Sequence, residues 1–253
     1  MIKRIARLLL VLLAVLIPVL VCVGHISRVG DRQVMAQQTV RTKIILDPGH
    51  GGIDGGAIGV DGLVEKDINL DIALTLRSML ETSGFEVLMT RETDISIHNP
   101  SAKTVKEQKT SDLKNRLKMT TENPDAIFIS IHQNQFPQGK YKGAQVFYGR
   151  KNEQSKVLAE LLQSGMADQL DKTNKRQCKE GGKELYLLYQ SEVPAVLVEC
   201  GFISNPEEAS LLSTQEYRNK VAFSIYSGLM RYTQMAAGYQ NTAHLNGEGA
   251  QDV

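Results

Sequence analysis

Apolar residues recur along this chain in two rhythms, short continuous runs and every-fourth stripes, and their alternation predicts the fold. Lys43-Ile44-Ile45-Leu46 is a β-branched run ended by Asp47-Pro48-Gly49, a strand entering a turn. Ile68, Ile72, Leu76 and Leu80 form the apolar stripe of a helix over about 65–83, which Gly84 ends. The next strand spans 85–89, and Ser111-Asp112 reads as the cap of a helix reaching about Glu122. Residues 126–131 are almost continuously apolar, the pattern of a strand covered on both faces in a parallel sheet. Further strands fall at 144–148, 185–188 and 195–198, with helices over 153–171 and about 214–233. Strands alternating with helices predict an α/β fold: a single doubly wound, mostly parallel sheet flanked by helices.

Before the first strand the pattern changes. Lys3, Arg4 and Arg7 precede an apolar run from Leu8 to Val23, broken only by Pro18. A basic segment followed by such a run reads as an export signal or a membrane anchor, so residues 1–24 are expected to be a signal peptide or anchor. Val34-Met35-Ala36 offers small-residue cleavage chemistry, and both readings stay open. Positive-inside logic sends the rest of the chain outside the cytoplasm. Residues 25–41 are polar and unperiodic, a linker; 42–235 form the folded domain; 236–253, rich in Gly, Asn and Gln, are expected to be disordered.

Composition narrows the class. At 42% hydrophobic and 23% charged, the 253-residue chain is too apolar for wholesale disorder. Its 29 Lys and Arg against 28 Asp and Glu give +1, which argues against a nucleic-acid binder built on a basic face. Beyond residue 36 the balance is 24 basic against 27 acidic residues, so only the N-terminus is basic. Cys22 lies in the apolar run, which leaves Cys178 and Cys200 as two thiols rather than a disulfide framework.

The residues with chemistry sit where strands end, the edge at which open α/β sheets bind ligands. Asp47-Pro48-Gly49-His50-Gly51-Gly52 follows the first strand, Ser130-Ile131-His132-Gln133-Asn134 the third, and Glu199-Cys200-Gly201 the last. Glu65 opens the first helix after the glycine-rich loop. His50, Glu65 and His132 together make a three-ligand Zn²⁺ site with an open fourth position. Glu199 is then a spare carboxylate, placed to act as general base.

Each residue also has a duller role. His50 could only bond the backbone of its turn, and Glu65 could only complement a helix dipole. His132 at a buried strand end demands a partner, and a carboxylate such as Glu199 after five apolar residues is costly unless used. His25, His98 and His244 fall in polar or terminal segments and read as solvated. The glycine-rich loop is no dinucleotide turn, because Asp54 stands where the third glycine is needed, and no Gly-Lys-Ser/Thr follows.

Taken together, Asp47-Pro48-Gly49-His50-Gly51-Gly52, the Glu65 helix, Thr90-Arg91-Glu92-Thr93-Asp94, Ser130-Ile131-His132-Gln133-Asn134 and Val198-Glu199-Cys200-Gly201-Phe202-Ile203-Ser204-Asn205 resemble the zinc-dependent N-acetylmuramoyl-L-alanine amidases of the amidase-3 family. The resemblance covers about 42–234. It implies zinc ligation by His50, Glu65 and His132, catalysis by Glu199, and a peptidoglycan substrate. Lys109-Thr110-Ser111-Asp112-Leu113-Lys114-Asn115-Arg116 and Gly143-Ala144-Gln145-Val146-Phe147-Tyr148 resemble the germination-specific branch found in spore formers. That likeness implies a role in spore cortex beside a muramic acid deacetylase, towards muramic-δ-lactam. Gln135 departs from the family pattern, where small residues are common, but replaces no ligand. Two other classes remain open: a catalytically silent peptidoglycan-binding or regulatory protein, and a zinc peptidase cutting within the stem peptide.

Overall fold

A computed structural model of the protein describes residues 41–247, with backbone alone beyond residue 236. β1 (Lys43–Pro48) leads through the glycine-rich loop and a 3-10 turn (Val60–Gly62) into α1 (Glu65–Thr82) and β2 (Glu86–Met89). α2 (Val105–Glu122), β3 (Ile127–Asn134), β4 (Gln145–Tyr148) and α3 (Gln154–Gln169) follow. The short β5 (Lys179–Glu180), α4 (Tyr186–Gln190), β6 (Ala195–Phe202), α5 (Pro206–Leu212) and α6 (Gln215–Gly247) complete the order.

One six-stranded sheet runs β2-β1-β3-β6-β4-β5. β2, β1, β3 and β6 are parallel, β4 is antiparallel to β6, and β5 is parallel to β4. The mostly parallel sheet expected from the sequence is therefore present, with the reversal confined to one side. Successive strand residues point to opposite faces. Ile44, Leu46, Ile129 and Val198 pack with Ile72 of α1, Leu162 of α3 and Ile225 of α6 on one face. Ile45, Phe128 and Leu197 pack with Leu188 of α4 and Leu117 of α2 on the other. Each fully buried Ile or Leu contributes roughly 1.5–3 kcal/mol over an exposed one. These two layers fix the carboxyl edge of the sheet.

Local chemistry explains the element ends. α1 buries Ile68, Ile72, Leu76 and Leu80, and Gly84 beyond its end adopts φ 89°, a left-handed stop. α2 begins at Val105, well before the Ser111 expected from sequence. A capping box starts it: the Glu107 amide donates to Thr104 Oγ1 at 3.2 Å and the Thr104 amide to Glu107 Oε2 at 2.9 Å. Its buried residues, Asp112, Arg116 and Thr120, are polar, so no apolar stripe marks it.

Other expectations are corrected. Residues 185–188 are not a strand; Leu187 and Leu188 belong to α4, and so short an apolar run does not distinguish helix from strand. β5 and α5 carry no apolar run of their own, and α5 is set by its Asn205 cap and Pro206. The last helix continues to Gly247, through much of the stretch read as a disordered tail, because Ala236, Ala237 and Ala243 favour helix. Cys178 and Cys200 are free thiols, as the sequence reading has them. The expected signal or anchor at 1–24 and most of the linker at 25–41 lie outside the described residues. Among the described residues no helix is long and apolar enough to cross a membrane.

Candidate active site

β1, β3 and β6 deliver their polar ends to one edge. β1 places Asp47 and then His50, whose φ of 64° is rare for a residue with a side chain. β3 places His132 in register with Glu199 on β6. Glu65, the first residue of α1, reaches the same point from the loop side.

The side chains converge. Ligand atoms of His50, Glu65 and His132 all lie within 4.8 Å of one another. His132 Nδ1 lies 2.9 Å and His50 Nε2 3.3 Å from Glu65 Oε1, and the two rings meet edge to face at 4.9 Å. Oε1 also accepts from the Gln133 amide at 3.0 Å and from Asn69 Nδ2 at 3.3 Å, while Oε2 accepts from the Ala57 amide at 2.8 Å. Asn69 is one helical turn from Glu65, and it also accepts from Gln133 Nε2 at 3.1 Å. Glycine is required beside these groups. A Cβ at Gly49 would lie 2.2 Å from the His132 ring, and one at Gly56 would lie 2.5 Å from Glu65 Oε2.

The electrostatics favour a cation. Burial opposes charge on both groups. Even so, hydrogen bonds from His132 and His50 hold the Glu65 carboxyl well below the usual range. Likewise, burial works to lower the His50 imidazole, but bonds to Asp54 and Glu65 raise it to about 9. Two imidazoles and a carboxylate are a zinc donor set, and a carboxylate on the far nitrogen of His50 is the usual outer support of such a ligand. The residues present fit a divalent metal of the zinc type.

Glu199 is different. The residue keeps some exposed surface, but its Oε2 is enclosed and has no hydrogen-bond partner among the described residues. Burial pushes its pKa up to about 7, with His132 pulling down and Glu65 pushing up. A buried carboxyl poised near neutrality can take up and release a proton at working pH.

Sequence reasoning missed the supports. Asp54 accepts from His50 Nδ1 at 2.9 Å. Arg91 donates to the carbonyls of Pro48, Gly49 and Lys66 at 2.9, 3.0 and 2.7 Å. Arg116, almost fully buried, bridges Asp47 and Asp112 and donates to the carbonyl of His50 at 2.6 Å. Asp54, four residues from His50 in the same turn, had a local signal; Arg91 and Arg116 stood inside motifs that carry the family resemblance, but no spacing pointed to their partners. Gln135 Nε2 donates to the Ile58 carbonyl at 3.1 Å, tying two rim loops, and His98 bonds Ser96 away from the cluster.

A mostly parallel α/β sheet with a His/Glu/His group at its carboxyl edge is the framework of a hydrolase whose site could hold a metal ion. The chain belongs to the N-acetylmuramoyl-L-alanine amidase family (Amidase_3), which it matches over residues 44–231. It is 40% identical over 189 residues to the germination-specific N-acetylmuramoyl-L-alanine amidase of Bacillus subtilis strain 168, covering 75% of this chain and 78% of that one. It is 30% identical to the N-acetylmuramoyl-L-alanine amidase AmiA of Escherichia coli K12, over 75% of each chain. Among solved structures, the CwlD amidase of Clostridioides difficile, in complex with the GerS lipoprotein, superposes with TM-score 0.74 at 43% identity, covering 77% of this chain and 100% of that one. The amidase AmiC2 of Nostoc punctiforme gives TM-score 0.65 at 29% identity, over 76% and 97%. The protein is thus an enzyme that hydrolyses the amide between N-acetylmuramic acid and L-alanine.

Proposed function

We propose that this chain removes stem peptides from peptidoglycan with a Zn²⁺ held by His50, Glu65 and His132, and Glu199 as general base. The observation that carries the reading is the enclosed Oε2 of Glu199, without a partner among the described residues, on the strand beside His132. When bound, zinc supplies Lewis-acid polarisation of the scissile carbonyl and acidifies water. Glu199 takes a proton from the attacking water and passes it to the alanine nitrogen as the carbon–nitrogen bond breaks. A free lactyl carboxylate and a free L-alanine amine result. Asp54 keeps His50 turned towards Glu65, and Asn69 with the Gln133 and Ala57 amides keeps Glu65 in place.

The proposed setting is spore-cortex maturation, supported by the likeness to a germination-specific amidase. Removing the peptide exposes the muramic acid on which a deacetylase acts, towards muramic-δ-lactam. That partnership is one of successive reactions; the solved CwlD relative was in complex with a lipoprotein instead. Peptidoglycan lies outside the cytoplasm, which suits residues 1–24 as signal or anchor, 25–41 as linker and 42–235 as catalytic domain.

Mass spectrometry of peptidoglycan fragments after incubation with the purified chain and zinc tests the reaction. Intact stem peptides beginning with a free L-alanine amine, together with peptide-free muramic acid, are expected. Fragments cut inside the stem peptide would show a peptidase, and unchanged fragments with full zinc would show a binding protein. Expression in a spore former lacking its germination-specific amidase should restore muramic-δ-lactam.

A further inference from the structure

His50 is held from outside the ligand set, and the holding points converge on α2. Its Nδ1 donates to Asp54 Oδ2 at 2.9 Å, and the other oxygen of Asp54 pairs with Lys109 Nζ at 2.8 Å. Two helical turns further along α2, Arg116 donates to the His50 carbonyl at 2.6 Å. Lys109 and Arg116 thus bracket the segment 109–116, to which the reaction assigns no direct part.

We propose that Asp54 and Lys109 are positioning residues for His50, and that together they set the affinity of the His50, Glu65 and His132 site for its metal. The proposal rests on the metal reading of that site. His50 lies on a loop at φ 64°, so no strand or helix fixes its ring. An imidazole there is free to rotate unless one nitrogen is anchored. Anchoring Nδ1 on Asp54 leaves Nε2 facing Glu65 Oε1 at 3.3 Å. Asp54 itself sits in the glycine-rich loop, where, apart from Lys109 and the His50 ring it holds, its side chain accepts only from the Gly56 amide at 3.4 Å among the described residues. Lys109, on a capped helix, supplies the fixed point. The chain of support runs from α2 through Lys109 and Asp54 to the ring, so Lys109 acts only through Asp54.

The test measures zinc affinity of the full chain in detergent by competition with a chelator, beside the melting temperature of the metal-free protein. Asp54→Ala is expected to weaken zinc binding about 10- to 100-fold, the usual effect of losing an outer support of a ligand. Lys109→Met should weaken it several-fold, and Lys109→Arg should restore it. The double variant should bind no more weakly than Asp54→Ala alone, because the two residues act in series. Metal-free melting of Lys109→Met should not move, since a half-exposed ion pair adds little stability. Wild-type affinity in folded Asp54→Ala, or losses that add in the double variant, would overturn the proposal. Should Asp54→Ala not fold, Lys109→Met decides: unchanged zinc affinity sinks the idea. A wild-type chain that takes up no zinc overturns the metal reading and this proposal with it, and does so before any variant is compared.

Discussion

His132 and Glu199 are register partners on neighbouring parallel strands, so one ladder of hydrogen bonds fixes an imidazole of the candidate metal site beside a carboxylate whose buried Oε2 has no partner among the described residues. Strands lie about 4.8 Å apart in that direction, and paired residues share a face. A slip of one residue in β6 would send Glu199 to the opposite face and bring Cys200 in its place. The rigid core beneath, Phe128 and Leu197 on the same face, makes such a slip costly. Geometry between the candidate base and the candidate metal site is therefore a property of the sheet.

Glu199→Gln isolates the proton-transfer role. The amide keeps size and reach but cannot accept the proton. General acid–base catalysis contributes about 10²- to 10⁴-fold, so turnover should fall at least about a hundredfold. Zinc content, read by elemental analysis on the same sample, should stay full. Near-normal turnover would remove Glu199 from the chemistry, and zinc loss would recast it as a ligand.

His132→Ala should lose metal and activity together. The ring lies with its Nδ1 2.9 Å from Glu65 Oε1, and its removal leaves two donors of three. Elemental analysis showing wild-type zinc in folded His132→Ala would exclude His132 from the ligand set.

Much of this was legible along the chain. Strand ends showed His50, His132 and Glu199 because a polar cluster after an apolar run is a local pattern. Glu65 stood at a helix start for the same reason. Arg116 was opaque: its partners Asp47, Pro48 and His50 lie more than sixty positions away, and no spacing encodes them. The start of α2 was hidden because its buried face is Asp112, Arg116 and Thr120, which periodicity scores as surface. Leu187 and Leu188 misled in the other direction, since two apolar residues serve a helix turn as well as a strand.

Arg116 carries a stability prediction. It is 2% exposed and pairs with Asp47, which is fully buried and also accepts from Ser130 at 2.6 Å and Thr90 at 2.7 Å. Arg116→Met keeps the volume but strands the Asp47 charge. Breaking a buried pair from one side costs about 3–5 kcal/mol, which denaturant melting would read directly. Replacing Asp47 and Arg116 together, by Asn and Met, should cost less than the sum of the separate changes. Additive losses would mean the two charges are independent.

Acidity supplies the last prediction, and its sign follows from Glu199. Burial raises this carboxyl from 4.5 to about 7. Between those values the folded protein holds a proton that the unfolded chain has released. Its stabilising contribution is fully present below about 4.5 and is lost as pH rises through about 7. The gap corresponds to a few kcal/mol at most, roughly 3 by linkage. Glu199→Gln has no proton to lose. In metal-free protein the variant should therefore be the more stable at about pH 8, and that advantage should shrink towards zero as pH falls to about 5. Denaturant melting of both chains at the two pH values reads the difference. A gap that is the same at both would mean that Glu199 is charged in the fold throughout. The buried Oε2 would then have to be solvated, and the same carboxylate could not be the group whose titration gates turnover. For the loaded enzyme the sign reverses: activity should climb as pH rises through the Glu199 pKa, which a bound cation draws below its metal-free value, because the base works only once its proton has left.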